Sequence, residues 1–90
     1  MPSRYQPLAD HLAAQPVAAV VLSLTEIAAL LGEPLPPAAQ ESAWWANAPE
    51  AEQARAWLGV GWRVRMMERH TRRPRVWSII FERGAVDSIP

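Results

Sequence analysis

Six arginines lie within thirteen residues in the second half of the chain, and they form its strongest chemical signal. They are Arg63, Arg65, Arg69, Arg72, Arg73 and Arg75, and Glu68 is the acidic residue among them. A guanidinium group binds phosphate oxygens in pairs through a planar fork of donors that lysine lacks. The cluster therefore predicts an anion-binding surface, and nucleic-acid phosphates are the anions that we expect it to meet.

Four of the five tryptophans lie between residues 43 and 62. We expect Trp57 and Trp62 to be core residues. Trp44 and Trp45 are adjacent, so in an extended segment their side chains face opposite ways and only one enters the core easily. We take Trp45 as a candidate for stacking on a base, and purely structural packing of the pair is the alternative.

Three polar residues near the third predicted helix have side chains that can read bases. Asn47 can bind adenine through its amide, although an asparagine at the start of a helix is often a cap. Gln53 and Arg55 face away from the predicted apolar side of that helix, where groove-reading residues would lie. A solvated helix face is the alternative.

Catalytic chemistry is poorly represented, and we expect a protein that is not an enzyme. His11 and His70 fall on different predicted elements, cysteine is absent, and no carboxylate–histidine spacing suits a metal. Ser23 and Ser42 lack a nucleophile-elbow motif, and the glycines of 59–61 lack the context of a phosphate loop. No cofactor and no metal site is predicted.

The formal net charge of zero conceals a separation of charge. Residues 1–54 carry one arginine and six acidic residues, whereas residues 55–90 carry eight arginines and three acidic residues. The ninety residues predict one domain, with an ordered core over about 5–83 and a loose tail after Gly84. The apolar run 17–22 is too short to span a bilayer and no signal peptide is evident, so we expect a cytoplasmic protein without membrane contact.

Hydrophobic periodicity and breaker residues give the order of the elements. Leu8 and Leu12 form a helical stripe, and Ser23 and Glu26 have the spacing of a capping box ahead of Gly32. The predicted elements are a helix over 7–15, a strand over 17–22, a helix over 24–31, a helix over 49–58, and two strands beginning at Trp62 and Val76.

The last two strands are predicted to form an antiparallel hairpin around the polar turn 69–75. Alternation places Trp62, Val64 and Met66 on one face of the first strand, with Met67 on the other. In the second strand, the expected core residues are Trp77, Ile79 and Phe81. The order helix, strand, helix, helix, strand, strand predicts an α+β, winged-helix-like fold, in which the third helix enters the major groove and the hairpin is the wing.

The motifs also resemble an uncharacterised family of small bacterial domains, found alone or beside restriction-nuclease-type domains. The resemblance covers about residues 5–83 and depends on Trp44-Trp45-Ala46-Asn47 followed by Trp57-Leu58-Gly59-Val60-Gly61-Trp62. Similar proteins tend to be basic just before the tryptophan pair, where this chain has Gln40-Glu41-Ser42. The resemblance implies a nucleic-acid reader and carries no catalytic residues.

These observations favour a non-catalytic module that binds duplex DNA through the third helix and the arginine-rich hairpin. One alternative is a protein-interaction module or homodimer, in which Glu41, Glu50 or Glu52 of a neighbour would occupy the arginines. Another is a binder of single-stranded nucleic acid or RNA that stacks bases on the tryptophan pair.

Overall fold

The structure is a computed structural model that describes residues 3–69 and 77–83. Within these residues the chain forms a helical layer packed on an antiparallel sheet. The elements are α1 (Gln6–Ala13), β1 (Ala19–Ser23), α2 (Leu24–Leu31), two 3₁₀ turns (Pro37–Gln40 and Ser42–Trp45), α3 (Glu52–Leu58), β2 (Trp62–Arg69) and β3 (Trp77–Arg83). The predicted α+β class is confirmed.

Helix α2 has the ends that the sequence predicts. The Ser23 hydroxyl accepts a hydrogen bond from the Glu26 amide at 3.0 Å, and the Glu26 carboxylate accepts one from the Ser23 amide at 2.8 Å. This capping box satisfies two amides that a helix start leaves without partners. Gly32 ends the helix with φ of 74°, a left-handed conformation that glycine adopts without steric cost.

Helix α3 is shorter than predicted, because the turn before it does not continue into the helix. The predicted start at Pro49 is wrong, since the helix begins at Glu52. The Ala51 amide donates to the Ala48 carbonyl at 2.9 Å, and Ala51 itself is extended with ψ of 133°. Residues 48–51 therefore form a separate turn. Helix α1 also ends two residues before its predicted limit, at Ala13.

The three strands form one antiparallel sheet in the order β1-β3-β2. β2 and β3 pair from Trp62 opposite Arg83 to Arg69 opposite Trp77, so the predicted hairpin is confirmed. β1 pairs along the other side of β3, with Val21 opposite Ile80. The last strand of the described residues, β3, is therefore the central strand of the sheet.

A β-bulge in β2 reverses the predicted alternation of its side chains. Val64 lies opposite Phe81 and Met66 lies opposite Ile80, so Arg65 is an extra residue in the ladder. Beyond it the faces exchange: Met67 packs against the core and Met66 is 46% exposed. The prediction that Met66 faces the core and Met67 faces away is therefore wrong.

Aromatic rings form the centre of the core. Trp45 and Trp57 stack with centroids 5.6 Å apart, and Phe81 packs against the edge of each, at 5.7 Å from Trp57. Aliphatic side chains from both the helical layer and the sheet surround these rings. Trp57 and Trp62 are 0% and 2% exposed, which confirms their predicted place in the core. Trp77, which was also predicted there, is half-buried.

Replacing Trp57 by alanine should lower the free energy of unfolding by about 3 to 5 kcal/mol, because it removes the ring that Trp45 and Phe81 pack against. A loss of this size approaches the whole stability of a small domain. Chemical denaturation followed by far-UV circular dichroism measures it. Val21→Ala provides the control at an exposed position, and equal losses in the two variants would contradict the core assignment.

Candidate nucleic-acid interface

The hairpin presents three of the predicted arginines on β2. Arg63, Arg65 and Arg69 are all exposed on a strand that is hydrogen-bonded to β3 along its length. Paired strands hold side chains more rigidly than a loop does. The α-carbons of the three residues span about 20 Å, at some 3.3 Å per residue. Because of the bulge, Arg63 and Arg69 lie on opposite faces of the sheet.

Arg63 is held by a cross-strand ion pair with Glu82. Its Nε and a terminal nitrogen lie 2.8 and 2.7 Å from the same carboxylate oxygen. The Arg63 side chain is still 55% exposed, so water screens the pair and its contribution to stability is small. The carboxylate orients this guanidinium and offsets part of its charge.

Arg65 is the bulged residue of β2. The extra residue lies outside the regular pairing, and a bulge at a sheet edge redirects the side chain that it carries. Arg65 is exposed, and both neighbours in the ladder are fixed, Val64 opposite Phe81 and Met66 opposite Ile80. The bulge therefore projects a guanidinium from a firmly held backbone.

Arg69 lies over the ring of Trp77, with 4.7 Å between its guanidinium carbon and the ring centroid. The two residues are the last cross-strand pair before the connection between the strands. A cation on an aromatic face is attracted by the ring quadrupole, and together they make a flat, positively charged surface. Trp77 is a candidate site residue that sequence reasoning missed. The sequence signal for this site is that Trp77 begins the second strand of the hairpin and therefore pairs with an arginine that ends the first strand.

Arg72, Arg73 and Arg75 lie outside the described residues. By sequence they belong to the connection between Arg69 and Trp77, as His70 does.

Asn47 does not cap α3, and its side-chain amide is bonded within the fold. Its Oδ1 accepts from the Trp57 indole nitrogen at 2.9 Å and from the Val64 amide at 2.8 Å, and its Nδ2 donates to the Val64 carbonyl at 2.9 Å. The side-chain amide thus imitates a short piece of neighbouring strand at the edge of β2. The predicted cap is therefore wrong, and these three bonds give Asn47 a structural role.

Gln53 and Arg55 on α3 also bind the protein's own backbone. Gln53 donates to the Trp44 carbonyl at 3.0 Å. Arg55 donates through one terminal nitrogen to the carbonyls of Pro49 and Glu50, at 3.3 and 3.0 Å, and so fixes the turn before the helix. Arg55 remains exposed and Gln53 is half-buried. These contacts reduce the freedom of both side chains to meet a partner.

The structure places Trp45 in the core and not on the predicted recognition surface. It is 2% exposed, and its indole nitrogen donates to the Ala39 carbonyl at 2.7 Å. Trp44 is half-buried, with its ring packed edge-on to Tyr5 and Trp45. Of the adjacent pair, Trp45 is thus the ring that enters the core, and its faces are not open to a base.

Two ionisable groups at the start of the chain lie away from the hairpin arginines in sequence. A hydrogen bond from Arg4 to Glu33 raises the pKa of the Arg4 guanidinium. Burial raises the pKa of the Tyr5 phenol. Arg4 is exposed and ion-paired, as Arg63 is, so it provides a matched control for experiments on the hairpin.

Arg83 makes its contacts within the domain. Its side chain donates to the Gln15 carbonyl and its guanidinium carbon lies 5.3 Å from the centroid of the Trp62 ring.

Across residues 3–69 and 77–83, no three histidine, aspartate or glutamate side chains lie close enough together to hold a metal ion. In that same part of the chain, the helices are all too short or too polar to cross a bilayer.

Replacing Asn47 by alanine should destabilise the domain by about 1 to 3 kcal/mol, because the Trp57 indole and the Val64 amide lose their acceptor. Asn47→Asp keeps that acceptor but places a carboxylate oxygen, in the position of the amide donor, against the Val64 carbonyl, so this variant should also lose stability. Urea denaturation measures both. A loss of nucleic-acid affinity in the folded Asn47→Ala variant without a loss of stability would support the base-reading role.

The comparisons place the chain in a family without assigning it an activity. No curated protein and no solved structure matches it. A family model described as a domain of unknown function (DUF7662) matches residues 5–77. The matched residues extend from the start of the helical layer through β2 to the first residue of β3, and the chain therefore belongs to this family.

Proposed function

We propose that this domain is a non-catalytic module that binds nucleic acid, with duplex DNA as the favoured ligand and the β2–β3 hairpin as the main contact. The observation that carries the proposal is the display of Arg63, Arg65 and Arg69 on one exposed strand, ahead of three more arginines in the connection. Phosphates repeat along a nucleic-acid strand. Exposed guanidinium groups on both faces of one edge strand can therefore meet more than one of them.

The separation of charge along the chain supports this orientation of binding. The acidic residues Glu33, Glu41, Glu50 and Glu52 all precede or begin α3, and the arginine cluster follows it. A polyanion is attracted to the hairpin and repelled by the acidic segments. Attraction confined to one part of the molecule orients the domain on its ligand as well as strengthening binding.

A winged-helix-like mode is part of the proposal, with α3 in a secondary role. The order of the elements supports this part of the proposal, in which the hairpin acts as the wing. However, α3 has seven residues, Gln53 and Arg55 are engaged with backbone carbonyls, and Glu52 adds a negative charge beside them. We therefore assign most of the binding energy to the hairpin, and expect weak sequence preference.

Single-stranded nucleic acid is the second candidate, and the pairing of Arg69 with Trp77 favours it. The half-buried ring and the guanidinium above it form a surface on which a base can stack. This site replaces the buried Trp45 as the stacking candidate. A ligand bound there would depend on Trp77, whereas a duplex bound through phosphates would depend mainly on the arginines.

The proposal implies modest affinity for one domain acting alone. If about four arginines neutralise phosphates, log K falls with log salt at a slope of about −3.6, which is roughly a 100-fold loss between 50 and 200 mM salt. The family resemblance to domains beside nuclease-type domains suggests how a cell would compensate. A tethered second domain raises the effective concentration at the ligand.

Fluorescence anisotropy with labelled random duplex and single-stranded DNA at 50 and 200 mM salt tests the proposal. Replacing Arg65 and Arg69 together by alanine should weaken duplex binding for all sequences and flatten the salt slope by about 1.8, at about 0.9 per phosphate contact. Arg4→Ala removes one equal charge from outside the hairpin and should change the slope by less than half a unit.

The outcomes separate the candidates. Equal effects of the Arg4 and hairpin variants would contradict binding by the hairpin. Preference for the single strand, lost in Trp77→Ala, would favour the stacking candidate. If the wild-type domain binds neither ligand at 50 mM salt, the proposal fails and the protein-interaction alternative remains.

A further inference from the structure

The two edges of the sheet differ in how well they are protected against pairing with another strand. The β2 edge has an Asn47 side chain bonded to both backbone groups of Val64, a bulge at Arg65, and several charged residues. These are devices by which native sheets block edge-to-edge association. The β1 edge, Ala19–Ser23, has a regular register with β3 and carries no charge.

The alternation of backbone hydrogen bonds between β1 and β3 shows which N–H and C=O groups of β1 face away from β3. The Arg83 amide donates to the Ala18 carbonyl at 2.8 Å, so alternate residues from Ala18 onward, namely Val20 and Leu22, bond to β3. The backbone groups of Ala19, Val21 and Ser23 therefore point to the open edge. The Ser23 amide is already bonded to Glu26, whereas both backbone groups of Ala19 and Val21 have no partner among residues 3–69 and 77–83.

The surroundings of this edge are apolar. Val17 and Val21 are 48% and 56% exposed, and they are two of the three large hydrophobic side chains exposed in the described residues. On the inner side of the edge lies a shallow cavity of about 280 Å³, lined by Leu22, Leu30 and Ala29 with His11 and Glu26 at its polar side. A strand added beside β1 would cover the two valines and place a side chain over this cavity.

We propose that the β1 edge pairs with the β1 edge of a second copy of this chain, antiparallel and with Val20 opposite Val20. In this register Ala19 of one copy faces Val21 of the other, and each such pair exchanges two backbone hydrogen bonds. The four bonds use all the open groups of Ala19 and Val21 and avoid the capped Ser23 amide.

A second copy fits this edge because a two-fold axis places the same strand, β1, of each copy side by side. Residues 16–25 contain no charged side chain, so the antiparallel arrangement opposes no like charges. About Val20 the facing residues are small or apolar, since Ala19 meets Val21 and Ala18 meets Leu22. The combined sheet would have six strands in the order β2-β3-β1-β1-β3-β2.

This association does not depend on the proposed nucleic-acid binding, since the arginine hairpins lie at the two outer ends of the combined sheet. The two β2 strands would be five strand spacings apart, about 24 Å, and would run in opposite directions. Failure of DNA binding would leave the dimer unaffected, and failure of dimerisation would leave each hairpin intact.

Sedimentation equilibrium of the wild-type chain and two matched variants tests the pairing. Val21→Glu places a carboxylate at the proposed contact, and Met66→Glu places one in the same outer row of the sheet at its opposite edge, since both residues lie beside Ile80. The wild type should dimerise. Val21→Glu should raise the dimer dissociation constant by about tenfold or more, and Met66→Glu by less than about twofold.

Amide hydrogen exchange provides a readout that needs no substitution. The amides of Ala19 and Val21 should gain protection as protein concentration rises, while that of Val20, which bonds to β3, should be protected throughout. Val21→Pro removes an amide that faces the open edge and leaves the β1–β3 ladder bonded. This variant should keep its circular dichroism spectrum and become monomeric.

A wild-type chain that is monomeric up to about 1 mM would overturn the proposal. Equal weakening of the dimer by the Val21 and Met66 variants would also overturn it, because the contact would then not lie at β1. Exchange of Ala19 and Val21 that is independent of concentration would have the same meaning.

Discussion

One side-chain amide joins the aromatic core of this domain to the edge of its sheet. The Asn47 carbonyl oxygen is the acceptor for the buried Trp57 ring, and the same amide bonds both backbone groups of Val64 at the point where the hairpin leaves the core. Trp57 anchors α3 against Trp45 and Phe81, so a displacement at Asn47 would reach the helix, the core and the hairpin together. Polar groups in such a network are costly to leave without partners, which is why the amide fixes one arrangement of these parts.

The arginines of the chain divide by what they touch. Arg83 and Arg55 bond to backbone carbonyls, and Arg4 and Arg63 are each ion-paired with a glutamate. Arg65 and Arg69 differ from these, since one is set on a bulge and the other on an aromatic face. The number of arginines therefore overstates the number of guanidinium groups that are free to bind a partner. The positions of these groups on the strand decide which of them can bind. The hairpin is the part of the described structure where exposed guanidinium groups follow one another on a rigid support.

Sequence patterns predicted the elements better than the roles of individual side chains. The capping box, Gly32 and the alternating runs determine α2 and the hairpin locally, and these were found. The bulge at Arg65 was missed because alternation assumes unbroken pairing, and the start of α3 was missed because proline and acidic residues suit a turn as well as a helix. Asn47 was assigned to the ligand because its true partners are ten and seventeen residues away. No short-range pattern reports a contact of that kind.

The central position of β3 has a consequence for how the chain folds. β1 and β2 bond to β3 and not to each other, so the sheet has no hydrogen-bonded ladder until the last strand arrives. The partner of Ser23 is Ser78, a separation of fifty-five residues, and closing a loop of that length costs conformational entropy before any ladder bond is made. Such long-range pairing slows folding and leaves apolar strands uncovered in the meantime. During synthesis, the valine-rich strand β1 must therefore wait until the ribosome has added residues 24–83 before its partner strand exists.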